Sequence, residues 1–192
     1  MPIFLELDFI ISLWLIDVPD STVVFCKLII LLTIIQQLRS GVTIATHAIG
    51  KIKEYQFFNA PVQLLSLPFG YLFLFLGYPA YSIILAVISI ETIVVFLNIL
   101  FFKKLTNFSP LLYIREVVVN CLFSLGVSYL VLFSLKKYLF VSLDPEFRVL
   151  CMVILSMLVY PSIIYFFSLK DNERKKIKNL LIQLKSKLKR NN

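Results

Sequence analysis

Four polar side chains recur inside the first long apolar stretch of this chain: Gln36, Ser40, Thr43 and His47, at i, i+4, i+7 and i+11. At about 100° per residue, a helix keeps them within one narrow stripe. Thr33 and Arg39 flank the stripe, while Ile35 and Ile44 are assigned to lipid. Amide, guanidinium and imidazole groups cannot face hydrocarbon cheaply, so the stripe is expected to face other helices or a wet cavity. In a later apolar run, Glu91 lies near the middle and Asn98 follows seven residues on, on almost the same helix face. A lone carboxylate at such depth pairs, takes a proton or faces water, and Arg39 is its best partner in the chain.

These residue types support charge pairing and hydrogen bonding rather than bond making. A transferase needs a positioned base or nucleophile. The single histidine has no acidic partner in a short motif, and no aspartate lies mid-membrane. A membrane-embedded enzyme therefore ranks last, and no cofactor is implied. Cys26, Cys121 and Cys151 are far apart, each in an apolar run, which suggests neither a metal site nor a disulfide framework.

The elements that must carry these residues follow from composition. The chain has 192 residues, 59% hydrophobic, with a mean hydropathy of +0.90. The apolar residues come in blocks, as in a chain built for lipid. Continuous runs without period-2 alternation argue against a β-barrel. The expected fold is all-α, a polytopic membrane helix bundle embedded in a lipid bilayer. Five spans are predicted, at about 23–47, 60–76, 80–102, 117–135 and 149–169, after a partial span MPIFLELDFIISLWL at the start. That start has no basic region and carries Glu6 and Asp8, so it does not read as a cleavable signal.

Leu76-Gly77-Tyr78-Pro79, Asn107 to Pro110, and Asp144-Pro145 read as connections. Pro68 and Pro161 fall inside spans and are expected to kink or break them. The stretch GKIKEYQ, 50–56, reads as a cytoplasmic turn held at the lipid surface by Lys51 and Lys53. In the fourth span, Glu116, Asn120, Ser124 and Ser128 recur every four residues and read as a packing face.

Residues 1–169 thus form a membrane domain and 170–192 a basic tail. In the tail, Ile177, Leu180, Leu181, Leu184 and Leu188 recur at helical spacing opposite lysines, the pattern of an amphipathic helix on an anionic membrane surface. Its direct tether to a span makes nucleic acid the weaker partner for this charge. With the C-terminus cytoplasmic, 14 of the 17 Lys and Arg outside the first span fall inside, as the positive-inside rule requires.

Five segments in order, LWLIDVP, FCKLIILLTIIQQL, AIGKIKEYQ, LLSLPFGYLFLFLGYP and NILFFKKL, carry a family resemblance. The chain from Met1 to about Leu169 resembles the C-terminal half of bacterial O-antigen and polysaccharide flippases. These belong to the multidrug/oligosaccharidyl-lipid/polysaccharide exporter superfamily. The resemblance implies one lobe of a two-lobed fold of twelve to fourteen helices around a central cavity, in the bacterial inner membrane. It implies an undecaprenyl-pyrophosphate-linked oligosaccharide as substrate, moved between leaflets by alternating access. The substrate path would run along Gln36, Arg39, Ser40, Thr43, His47, Glu91 and Asn98. Arg39 would either pair with Glu91 or hold the pyrophosphate, to which an arginine fork is well suited. Its apparent depth favours the pyrophosphate. Asn98 stands near where many such proteins are expected to carry arginine. At this length the N-terminal lobe is missing, so the resemblance implies a truncated remnant, a split protein whose other half is a separate partner chain, or a wrongly called start. The alternative is a non-transporting subunit or truncated remnant that acts, if at all, as an assembly scaffold.

Overall fold

A computed structural model describes residues 1–106, 108–138, 140, 144–168, 174 and 179. The described residues are mostly helical and contain no strand. Two short helices come first, α1 (Pro2–Leu5) and α2 (Leu7–Trp14). Five stretches long and apolar enough to cross a membrane follow: Thr22–Ala48, Ile52–Phe75, Ser82–Thr106, Pro110–Tyr138 and Pro145–Phe167. The expected all-α, polytopic architecture is therefore present. The amphipathic helix expected at 170–192 lies outside the described residues, Arg174 and Asn179 aside.

The first span is two helices, α3 (Thr22–Leu38) and α4 (Ser40–Ala48), joined at Arg39. There the backbone tightens: the Arg39 N–H bonds the carbonyl of Gln36, three residues back. The second span is also two helices, α5 (Ile52–Leu64) and α6 (Ser66–Phe75). Pro68 offers no N–H to the Leu64 carbonyl, and the chain breaks at Leu65, one turn before the proline. The third span, α7 (Ser82–Thr106), is uninterrupted.

The fourth span starts as α8 (Pro110–Tyr113), widens into a π-helical segment (Ile114–Val119) and continues as α9 (Asn120–Tyr138). The fifth is α10 (Pro145–Ile163), followed by a second π-helical segment (Ile164–Ser168). Pro161 sits in the last turn of α10 and leaves the Met157 carbonyl without its i+4 donor. The helix relaxes into the wider π turn just beyond, rather than breaking at the proline itself.

Four of the five spans begin earlier than the sequence expectation, and the third begins two residues later, at Ser82. Pro110 and Pro145 are not loop residues but first-turn positions, where a missing N–H is harmless. The second span begins at Ile52, not near residue 60. The expected turn GKIKEYQ therefore shrinks to Ile49 through Lys51. Gly50 reverses the chain there with φ +83°. In its polar-looking continuation, which is helical, Glu54 and Lys51 pair across the first turn.

The end of α6 shows how tightly such a reversal is specified. Gly77 takes φ +81°, and its N–H bonds the Leu74 carbonyl. Tyr78 N–H reaches back to the Phe73 carbonyl, and the two rings meet edge to face at 5.8 Å. These two bonds and the contact form a Schellman cap.

The described chain divides into two compact units, Ile3–Val118, and Met1–Pro2 with Val119 onward. The sequence reading has one membrane domain over 1–169. In the first unit α7 is the central helix, packed by the first span on one side and the second on the other. Its buried face runs Ala86, Ile90, Glu91, Val94, Val95, Asn98 and Ile99, at helical spacing. Val95 and Ile99 pack with Val42 of α4, and Ile35 and Leu38 close over them. At Gly70 the α6 and α7 backbones come close: a Cβ there would lie 3.3 Å from Ile83 Cγ2. In the other unit α9 packs on α10, burying Ser124, Ser128 and Leu132 on one and Met152 on the other.

Candidate functional site

The interruption at Arg39 and the early start of α5 put two polar stripes face to face. From the first span come Gln36, Arg39, Ser40 and Thr43. From α5 come Tyr55, Gln56, Asn59 and Gln63. With Ile44 they line a groove of about 380 Å³ within the first unit. That volume lies in the usual range of small-molecule sites, roughly 300–1,000 Å³.

Behind the groove sits a charged knot. Arg39 Nη2 lies 3.5 Å from Glu91 Oε2, both side chains being largely buried. The contact is an ion pair without hydrogen-bond geometry, since Oε2 accepts no hydrogen bond. Gln36 Nε2 donates to Glu91 Oε1 at 3.4 Å. The Gln63 amide lies between the two charges. Turned one way, its N–H donates to Glu91 Oε1 at 3.3 Å. Turned the other, its oxygen accepts from the Arg39 guanidinium at 3.0 and 3.2 Å.

Toward the Gly50 turn, Thr43 links the stripes. Its hydroxyl bonds the Arg39 carbonyl at 3.1 Å, so the buried Tyr55 hydroxyl is the donor in the 2.6 Å contact with Thr43. This chain of bonds ties the backbone at the helix interruption to α5. The His47 ring stands edge to face on Tyr55 at 5.5 Å. His47 Nε2 is buried with no hydrogen-bond partner among the described residues. Asn59, only 3% exposed, lines the groove with its Nδ2 donor likewise unpartnered.

Of the seven candidate residues, Gln36, Arg39, Ser40 and Thr43 line the groove. Glu91 lies behind it, holding Arg39. His47 stands at the end, against Tyr55. Asn98 does not join them: it is fully buried on α7, and neither side-chain amide atom has a partner among the described residues. Ile35 packs against the core of the first unit and is not the lipid-facing residue expected. Ile44 is 70% exposed, at the edge of the groove.

The α5 half of the groove was missed. Its signal is the i, i+4 spacing of Tyr55, Asn59 and Gln63, the periodicity that identifies the first stripe. It was hidden because residues before 60 read as a turn.

The groove makes a direct prediction. In a background lacking Cys26, Cys121 and Cys151, cysteines at Ser40 and Gln56 should react with a water-soluble thiol reagent. Cysteines at Ile93 and Phe96, exposed on the outer face of α7, should react at least several-fold more slowly. Equal rates at all four positions would mean the groove is dry.

No family model, no curated protein sequence and no solved structure matches the chain.

Proposed function

We propose that this chain is one lobe of a lipid-linked oligosaccharide flippase of the bacterial inner membrane, with its C-terminal tail cytoplasmic. The second lobe comes from the same polypeptide or from another. The substrate is an undecaprenyl-pyrophosphate-linked glycan, and its diphosphate passes along the groove between the first and second spans.

The observation that carries this reading is the setting of Arg39. A guanidinium placed in an apolar span sits at the wall of a polar groove, held by one carboxylate in an incomplete ion pair. A diphosphate entering the groove can take the guanidinium bidentately, a geometry the present contact with Glu91 lacks. The released carboxylate keeps its hydrogen bond from Gln36. The Asn59 Nδ2 donor and the Gln56 side chain supply neutral hydrogen bonds along the same wall. No bond is made or broken, so the groove needs complementarity only to the charge it carries. The five segments that resemble polysaccharide flippases support the same reading.

The test is glycan export by the two-lobed protein. Arg39→Gln combined with Glu91→Gln removes both charges and leaves no buried ion alone. This double variant should reach the membrane in normal amount and export less than a tenth of the parental glycan at the cell surface. Arg39→Lys should retain an intermediate level, because lysine keeps the charge and loses the fork. Full export by the double variant would end the proposal and leave a scaffolding role as the better account.

A further inference from the structure

We propose that a slot on the flank of the second and third spans binds an anionic phospholipid, independently of the groove. Lys103 and Lys104 hold its headgroup phosphate, and an aromatic floor holds the start of an acyl chain.

The slot encloses about 580 Å³ and is lined by Phe58 of α5 and by Leu97, Leu100, Phe101, Lys103 and Lys104 of α7. Its composition is divided along its length. Phe58 and Phe101 stack at 5.6 Å and 19°, which makes a flat wall. Leu97 and Leu100 continue the apolar surface up the helix. The two lysines stand in the last turn of α7. Apolar surface at one end and two ammonium groups at the other match a glycerophospholipid, which has the same division.

The charges fit an anionic headgroup and no other. Lys103 and Lys104 have no ion-pair partner among the described residues. Among the described residues, no acidic side chain lines the slot. The helices α5 and α7 run antiparallel, since Phe58 meets Phe101 while Gln63 meets Glu91. Lys51 and Lys53, at the start of α5, therefore lie toward the same end as Lys103 and Lys104. Lysines gathered at a span end mark the level of the lipid headgroups. A free phosphate would find the lysines but leave the apolar wall empty. A zwitterionic lipid would fill the wall but bring its own ammonium to the lysines.

The experiment uses the purified full chain in detergent, with phosphatidylglycerol or phosphatidylcholine of identical acyl chains added as the probe. Binding is read by native mass spectrometry. Phosphatidylglycerol should bind roughly tenfold or more tightly than phosphatidylcholine, and inorganic phosphate should not displace it. Lys103→Gln with Lys104→Gln should reduce phosphatidylglycerol to the phosphatidylcholine level. Leu100→Trp keeps both lysines and fills the slot from a position that is 52% exposed. It should weaken phosphatidylglycerol to a similar degree, which separates a built slot from bare surface charge. The proposal is overturned if the parent does not distinguish the two lipids, if the lysine variant keeps its preference, or if Leu100→Trp binds phosphatidylglycerol as the parent does.

Discussion

Replacing Glu91 with glutamine is expected to lower the folded yield several-fold, and replacing Arg39 in the same molecule to bring most of it back. The single change leaves Arg39 buried beside two neutral amides, with only a partial acceptor in Gln63. Removing one partner of a buried pair costs about 3–5 kcal/mol. The low end applies here, because Arg39 keeps 18% of its side chain exposed and the contact is 3.5 Å long. The reverse single change, Arg39→Gln, strands the carboxylate, which is the more enclosed of the two at 8%. It should be at least as damaging. In the double variant no ion is left alone, and the three glutamine side chains at 36, 39 and 63 can bond one another and the new amide at 91. Thermal unfolding in one detergent, across all four combinations, should yield a coupling close to the sum of the two single losses, about 5 kcal/mol. If the two single losses simply add in the double variant, the pair is not what holds these helices.

Asn98→Leu should stabilise the isolated chain. Asn98 has no exposed surface, and among the described residues both its amide oxygen and nitrogen lack partners. Burying such a group unpaired costs about 1–3 kcal/mol by mutational data. Leucine has the same branched skeleton and no polar atoms to strand, so the loss should be recovered in part, less the strain of fitting its bulkier methyl groups. A gain near 1 kcal/mol corresponds to a rise in unfolding midpoint of about 2–4 °C at this chain length. A fall in the midpoint would mean that Asn98 bonds a group within the folded chain, an ordered water for example. In that case the α7 face is polar by design, and the residue belongs with Glu91 after all.

Hydropathy made the number and order of the spans legible, because twenty apolar residues have few other uses. Where each span starts was less legible. Lys51, Lys53 and Glu54 look like loop residues, yet a helix that projects past the hydrocarbon places its first turn among headgroups, where charge is welcome. The groove was half legible for the same reason. Gln36, Ser40, Thr43 and Arg39 lie deep enough to look anomalous, whereas Tyr55, Gln56 and Asn59 lie near an end and look ordinary. The helix break at Leu65 follows from Pro68, and its presence could be expected. The interruption at Arg39 has no proline to announce it. The π-helical segment over Ile114–Val119 is equally silent, since the stretch IREVVV contains no residue that forbids an α-helix. The division into two units at Val118 falls within that segment. It depends on which helices choose each other, a long-range outcome that local pattern does not encode.

The pairing of Arg39 with Glu91 also sets a schedule for biosynthesis. The two residues are 52 positions apart, and one whole span is made between them. At about 5–20 residues per second, the ribosome needs roughly 3–10 s to cover that distance. Throughout that interval the first span carries an arginine whose counter-ion has not yet been synthesised. Its entry into the bilayer is penalised by about 2.5–3.5 kcal/mol on insertion scales. The first span should therefore linger beside the insertion machinery until the third emerges, and the two should leave together. A nascent chain halted before Glu91 would hold the first span in a crosslinkable, only partly inserted state. One halted well beyond it would release both.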